Sequence, residues 1–187
     1  SLGIYHFWGT SREPFLELES TPSGEVVLAP AYDIIHQTGG DLQATLGNNL
    51  LKLEVLRRQG QGEPYTAAVG GFEYTFVGFL ETKIDFGILG EYHFDERGRS
   101  APTPFNHDAF TGTRLAINDA ADTQVLAGVV ADLYGGGYLL NVEASRRFGN
   151  YWKLDVEARF LLGMDNTDPL YSMRRDDRVL LELQRFF

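Results

Sequence analysis

The side chains able to do chemistry are scattered rather than gathered. Four histidines occur, at His6, His36, His93 and His107. No two stand at i, i+2 in one strand or i, i+4 in a helix, the spacings that aim two imidazoles at one metal ion, so no zinc site is expected. Asp33 and His36 are three apart, which in a strand sends them to opposite faces and argues against a dyad. His107 adjoins Asp108 in a segment read as a loop. The glycines at 39–40, 70–71 and 135–137 precede no helix carrying the lysine that a phosphate loop needs, and read as thin strand or turn. There is no cysteine, so neither a thiolate site nor a disulfide can form. The expectation is a protein that is not an enzyme and that binds no cofactor or metal.

Charged residues instead recur at every second position of several segments. These rows hold Lys52, Glu54, Arg58, Glu73, Lys83, Asp85, Glu91, Arg114, Glu143, Arg147, Lys153, Asp155, Glu157, Arg159 and Glu182, with Asp132, Asn141 and Gln184 in the same phase. Mixed signs on one side of a strand set can do two things. They can form a salt-bridge network that fills a narrow interior, or they can line a water-filled passage and filter solutes by charge.

The elements that must position these rows are strands. Segment 151–163 shows why: Trp152, Leu154, Val156, Ala158, Phe160 and Leu162 take one phase, and Tyr151, Lys153, Asp155, Glu157 and Arg159 the other. Period two sorts these cleanly, whereas helical spacing would scatter the charges. The same alternation predicts about ten strands, near 1–9, 31–46, 50–60, 65–77, 83–94, 109–118, 122–134, 137–148, 151–163 and 177–187. In a chain of 187 residues they make one domain, 1–187, of all-β class. The formal charge of -10 argues against nucleic acid as a partner. No run of about 18 apolar residues is present, so no membrane helix is expected. A mean hydropathy of -0.20 leaves a membrane barrel open, because its two faces average out.

Connection lengths carry further information. Under up-and-down order the three long connections, 10–30, 95–108 and 164–176, fall at one end, while those at the other are expected to be about five residues or fewer. Aromatics gather near strand ends, among them Trp8, Tyr65, Phe76, Phe94, Tyr134, Tyr138, Phe148, Tyr151, Trp152 and Phe187. Three arginines, Arg57, Arg146 and Arg185, interrupt the apolar rows, each near a strand end. Segment 1–8 reads as a strand entered directly, so either a leader has been removed or strands precede it.

The final strand alternates through Val179, Leu181, Leu183 and Arg185 to an aromatic terminus at Phe187. This resembles the last strand of Gram-negative outer-membrane β-barrels of porin-like type, although that pattern usually has an aromatic or apolar residue where Arg185 stands. The resemblance covers most of the chain by pattern. It implies an up-and-down antiparallel transmembrane β-barrel of about ten strands, or the C-terminal part of a larger one. It further implies an outer-membrane location and contact with lipid and lipopolysaccharide. Phe187 would be read by the barrel-assembly machinery. The function implied is a porin-like channel for passive diffusion of small polar solutes, with the charged rows above lining the pore. Loop 95–108 reads as a solvated cap, with an inward-folding constriction as the alternative. Two alternatives stand beside it: a closed structural or adhesive barrel with an ion-paired lumen, and a soluble β-barrel that binds an apolar ligand. In loop 164–176, Asp165, Asp168 and Asp176 with Arg174 and Arg175 read as a solvated surface, with calcium or lipopolysaccharide as the alternative partner.

Overall fold

A computed structural model describes residues 1–187. The chain is all-β, with twelve strands and three short 3-10 turns. The strands are β1 Leu2–Thr10, β2 Phe15–Ser20, β3 Val26–Ala31, β4 Ile34–Leu46, β5 Asn49–Gln59 and β6 Tyr65–Phe76. They continue as β7 Asp85–Asp95, β8 His107–Ala116, β9 Gln124–Asp132, β10 Tyr138–Phe148, β11 Trp152–Leu162 and β12 Arg178–Arg185. Ten of them form one sheet in the order β1-β4-β5-β6-β7-β8-β9-β10-β11-β12. Every pairing in it is antiparallel. The ten alternating segments of the sequence correspond to these ten strands within a few residues. The sheet is open: β1 and β12 are its two edges and do not pair with each other.

The remaining strands were not expected. The connection 10–30 contains a hairpin, β2 with β3. It prolongs the β1–β4 hairpin: Thr10 pairs with Ile34, Ser11 N donates to the Asp33 carbonyl at 2.7 Å, and pairing resumes at Phe15 with Ala31. Three residues on one side oppose one on the other at the break, which bends the ribbon as a bulge does. The outer turn closes through Gly24, whose φ of 83° suits glycine.

The three longest connections, 11–33, 96–106 and 163–177, fall at one end of the sheet, but the lengths of the others overlap between the two ends. The turn end holds 47–48, 77–84, 117–123 and 149–151; 77–84 and 117–123 exceed the five residues expected, the first because it takes a 3-10 turn at Phe79–Glu81. The loop end holds 11–33, 60–64, 96–106, 133–137 and 163–177.

Register fixes which side chains share a face, since directly paired residues point the same way. Following the ladder from Leu2–Leu42 to Val156–Leu181 collects every apolar row on one face. The only charged strand residues there are Arg57, Arg146 and Arg185. The other face carries 12 Asp and Glu and 7 Lys and Arg. Burial is the reverse of a layered domain, in which apolar faces pack inward. Only 13 of 187 residues are buried, and those within the ten-stranded sheet all sit on the polar face, such as Ile35, Tyr65, Asp108 and Leu161. No layer covers the apolar face, where Ile4 is 80% exposed and Leu181 66%; only at its turn-end margin does a connection residue, Phe79, pack on Phe76 and Phe86.

Candidate functional site

The polar face is the candidate site. Of the fifteen residues expected to line a pore, fourteen lie on it within strands. Lys83 lies two residues before β7, in the turn-end connection, where its carbonyl accepts from Asn118 at 2.8 Å. Four charged residues on this face escaped the sequence reading. Asp41 and Arg178 were legible from their phase. Asp95 and Asp108 had been placed in a loop, but they are the last residue of β7 and the second of β8.

The ion pairs form along strands and diagonally across them. Lys153 contacts Asp155 at 2.6 Å, and Glu157 receives both Arg159 at 3.2 Å and Arg178 at 2.6 Å. Arg114 pairs with Glu73, and Arg58 bridges Glu13 at 3.1 Å and Gln37 at 2.9 Å. His93 contacts Glu91 at 2.7 Å. Asp85 accepts from Asn118 and from Gly78 N, each at 2.9 Å. Glu143 and Glu182 receive only amides, from Asn141 at 2.9 Å and Gln184 at 3.1 Å. Arg147 lies 5.6 Å from the ring of Phe186. Lys52 and Glu54 border the hollow beside Tyr5, Asp41 and Gln43.

The hollows of the surface open on this face. One of about 380 Å³ is bounded by Arg114, Glu143, Ser145, Asp155, Glu157 and Glu182. Another, of about 220 Å³, lies between Tyr5, Glu54, His93, Asp95 and two loop residues, Thr103 and Phe105. Loop 96–106 therefore reaches over the polar face: the Phe105 ring lies 5.7 Å from His93, and Ala101 and Asn106 are buried. Its fastening is local. Arg97 grips Asp95 through Nε at 2.9 Å and Nη2 at 2.6 Å, and its guanidinium lies 3.5 Å from the centre of the Tyr65 ring. The Asp95 hydrogen bond raises the Arg97 pKa further. Glu96 turns to the other face, where the Thr66 amide N–H, then Thr66 Oγ1 and Arg57, hold its carboxyl below the usual value. Tyr65 thus belongs to this polar-face cluster and not to an apolar-face belt.

The histidines do not converge. His6 and His36 lie on the apolar face, the first bonded to Thr38 at 2.8 Å and the second stacked on Trp8. His93 lies on the polar face, and His107 lies between Tyr92 and Tyr134. No three His, Asp or Glu side chains are arranged to hold a metal ion. In the last loop Asp165 accepts from Thr167 N and Oγ1, which keeps its carboxyl below the usual range, and Asp168 accepts from Leu170 N. Both carboxylates serve their own turns.

Comparison with protein families, characterised proteins and solved structures returns no match, so what this face does has to be argued from its own geometry.

Proposed function

We propose that the sheet is the wall of a porin-like β-barrel in the outer membrane of a Gram-negative bacterium, with its apolar face toward lipid and its polar face along a passage for small polar solutes. One observation carries this reading: a ten-stranded sheet sorts its charges onto one face and leaves the apolar face with no layer over it. An apolar surface of this extent marks a contact site. Lipid suits it better than a protein layer because of what stands at its margins. Tyr74, Phe76, Phe86, Phe148 and Trp152 ring the turn end, and Trp8, Tyr92, Phe94, Tyr138 and Phe160 the loop end, while small and aliphatic residues fill most of the middle. Aromatic girdles at two levels are expected at the two interfaces of a bilayer. The three arginines on this face sit at strand ends, where a cation costs about 0–1 kcal/mol rather than the 2–4 of the midplane.

Backbone groups left unpaired inside a bilayer are costly, so a membrane sheet must close. β1 and β12 run in opposite senses by their place in the order. Direct pairing of the two would give ten strands; further strands between them would give a wider lumen. Loop 96–106 then narrows the passage at the loop end. Phe187, fully exposed at the turn end, would be the group read by the assembly machinery, and the loop end would meet lipopolysaccharide.

The test is conductance. The purified protein refolded into a planar bilayer should show stepwise ionic current, and Arg114→Gln or Arg159→Gln should change its ion preference. A silent bilayer with the protein folded would contradict the passage and favour a closed barrel filled by its ion pairs.

A further inference from the structure

We infer that the polar face selects for cations, so that the proposed passage admits small cations and positively charged solutes and excludes anions of like size. This deepens the reading above and rests on it.

Two independent facts point the same way. The first is how charge divides between the faces. Within the strands the polar face carries 12 carboxylates against 7 cations, while the apolar face carries three arginines, two of which are met from adjoining connections by Glu96 and Asp119. Excess negative charge inside the sheet is therefore larger than a count over all strands shows. A surface lined by one sign within low-dielectric walls raises the local concentration of the opposite ion. Rings of carboxylates are one way by which cation pathways are built.

The second fact is register. Four pairs of carboxylates stand directly opposite one another across neighbouring strands: Asp41 with Glu54, Asp108 with Asp132, Glu143 with Glu157, and Asp155 with Glu182. Like charges directly opposite are destabilising in a sheet. Two cationic pairs occur as well, Arg147 with Lys153 and Arg159 with Arg178. Three of these four cations are committed to carboxylates, and the fourth, Arg147, stands at the turn end away from the middle of the wall. Arg159 and Arg178 both bind Glu157, Lys153 binds Asp155, and Arg147 lies against Phe186 at the turn end. Glu143 and Glu182 are left without a cation, and one oxygen of Asp155 has no hydrogen-bond partner. All three border the 380 Å³ hollow. Mobile cations drawn to that wall would relieve the repulsion that the register imposes.

The experiment uses the full chain in lipid vesicles and exploits its lack of cysteine. Ser145 lies in the same hollow, directly opposite Asp155, and Ser145→Cys is nearly isosteric. The thiol is then modified by cationic and anionic methanethiosulfonates of equal size. With each rate divided by that of the same reagent toward a free thiol in the same buffer, the cationic reagent should react about tenfold faster or more at low salt. That ratio should collapse toward one in about 1 M salt, where the screening length falls to about 3 Å. It should also fall when Glu143→Gln and Glu182→Gln are combined. Equal rates at low salt, or faster anionic labelling, would overturn the inference. Reversal potentials in a salt gradient give the second readout: cation preference supports the inference and anion preference overturns it. A silent bilayer together with cation-favoured labelling would remove the passage while leaving the sign of the face established, so the two failures are distinguishable.

Discussion

At the scale of single residues, Asp95 is a buried carboxylate held by one cation. Its side chain is 5% exposed, and Arg97 is its only cationic partner. Removing Arg97 strands a buried carboxylate and uncovers the Tyr65 ring. Arg97→Ala should therefore cost about 1–3 kcal/mol, the usual penalty for an unsatisfied buried acceptor. Arg57→Ala, which breaks a half-exposed pair with Glu96, should cost no more than about 1 kcal/mol. Urea midpoints of the two variants check the order; equal shifts would contradict it. A second expectation concerns pH. Glu96, Asp119 and Asp165 lie in connections and titrate below their ordinary values of 4.5, 3.8 and 3.8. A depressed carboxyl stabilises the fold above its ordinary value and loses that contribution as pH falls through the folded value. The connections at 96–106, 117–123 and 163–177 should thus loosen only in acid, below about pH 4. Protease sensitivity of those segments at pH 7 and pH 3 measures it; loosening between pH 7 and 5 would contradict it. None of this was legible beforehand. Arg97 and Asp95 are two apart in sequence, but their meeting depends on the loop folding back over β6, which no local spacing announces.

At the scale of elements, period two made the ten long strands legible, because each sets an apolar row against a charged one. The hairpin β2–β3 was missed for a physical reason. Phe15–Ser20 alternates Leu16 and Leu18 with Glu17 and Glu19, but its partner Val26–Ala31 is apolar on both sides and contains Pro30. An isolated two-stranded ribbon is marginal, and this one persists as the extension of β1–β4. Under the outer-membrane reading, Phe187 serves recognition rather than the fold. Phe187 lies beyond the last ladder pair, Trp152 with Arg185, and makes no strand hydrogen bond. Deleting Phe187 should leave refolding into detergent or lipid unchanged while lowering the amount assembled in cells severalfold. Equal loss in both settings would assign Phe187 to the fold instead of to recognition by assembly factors.

At the scale of the whole molecule, face sorting was legible and closure was not. Alternation tells which residues share a face, but the same pattern suits a soluble barrel with its apolar rows inside. The structure adds that the buried sheet residues lie on the polar face and that no layer packs on the other. Whether β1 meets β12 is a long-range question, decided by strand number and tilt rather than by any row of side chains. The central claim is that the apolar face meets lipid, and the two tryptophans of the chain test it directly. Trp8 and Trp152 both lie on that face, at opposite ends of the strands. In vesicles containing lipids brominated at different depths, each tryptophan, isolated by a Trp→Phe substitution at the other, should be quenched. Quenching should be strongest with bromines near the interface and weaker with those near the bilayer centre. Tryptophan fluorescence indifferent to brominated lipid, in protein that is folded and vesicle-bound, would contradict the account.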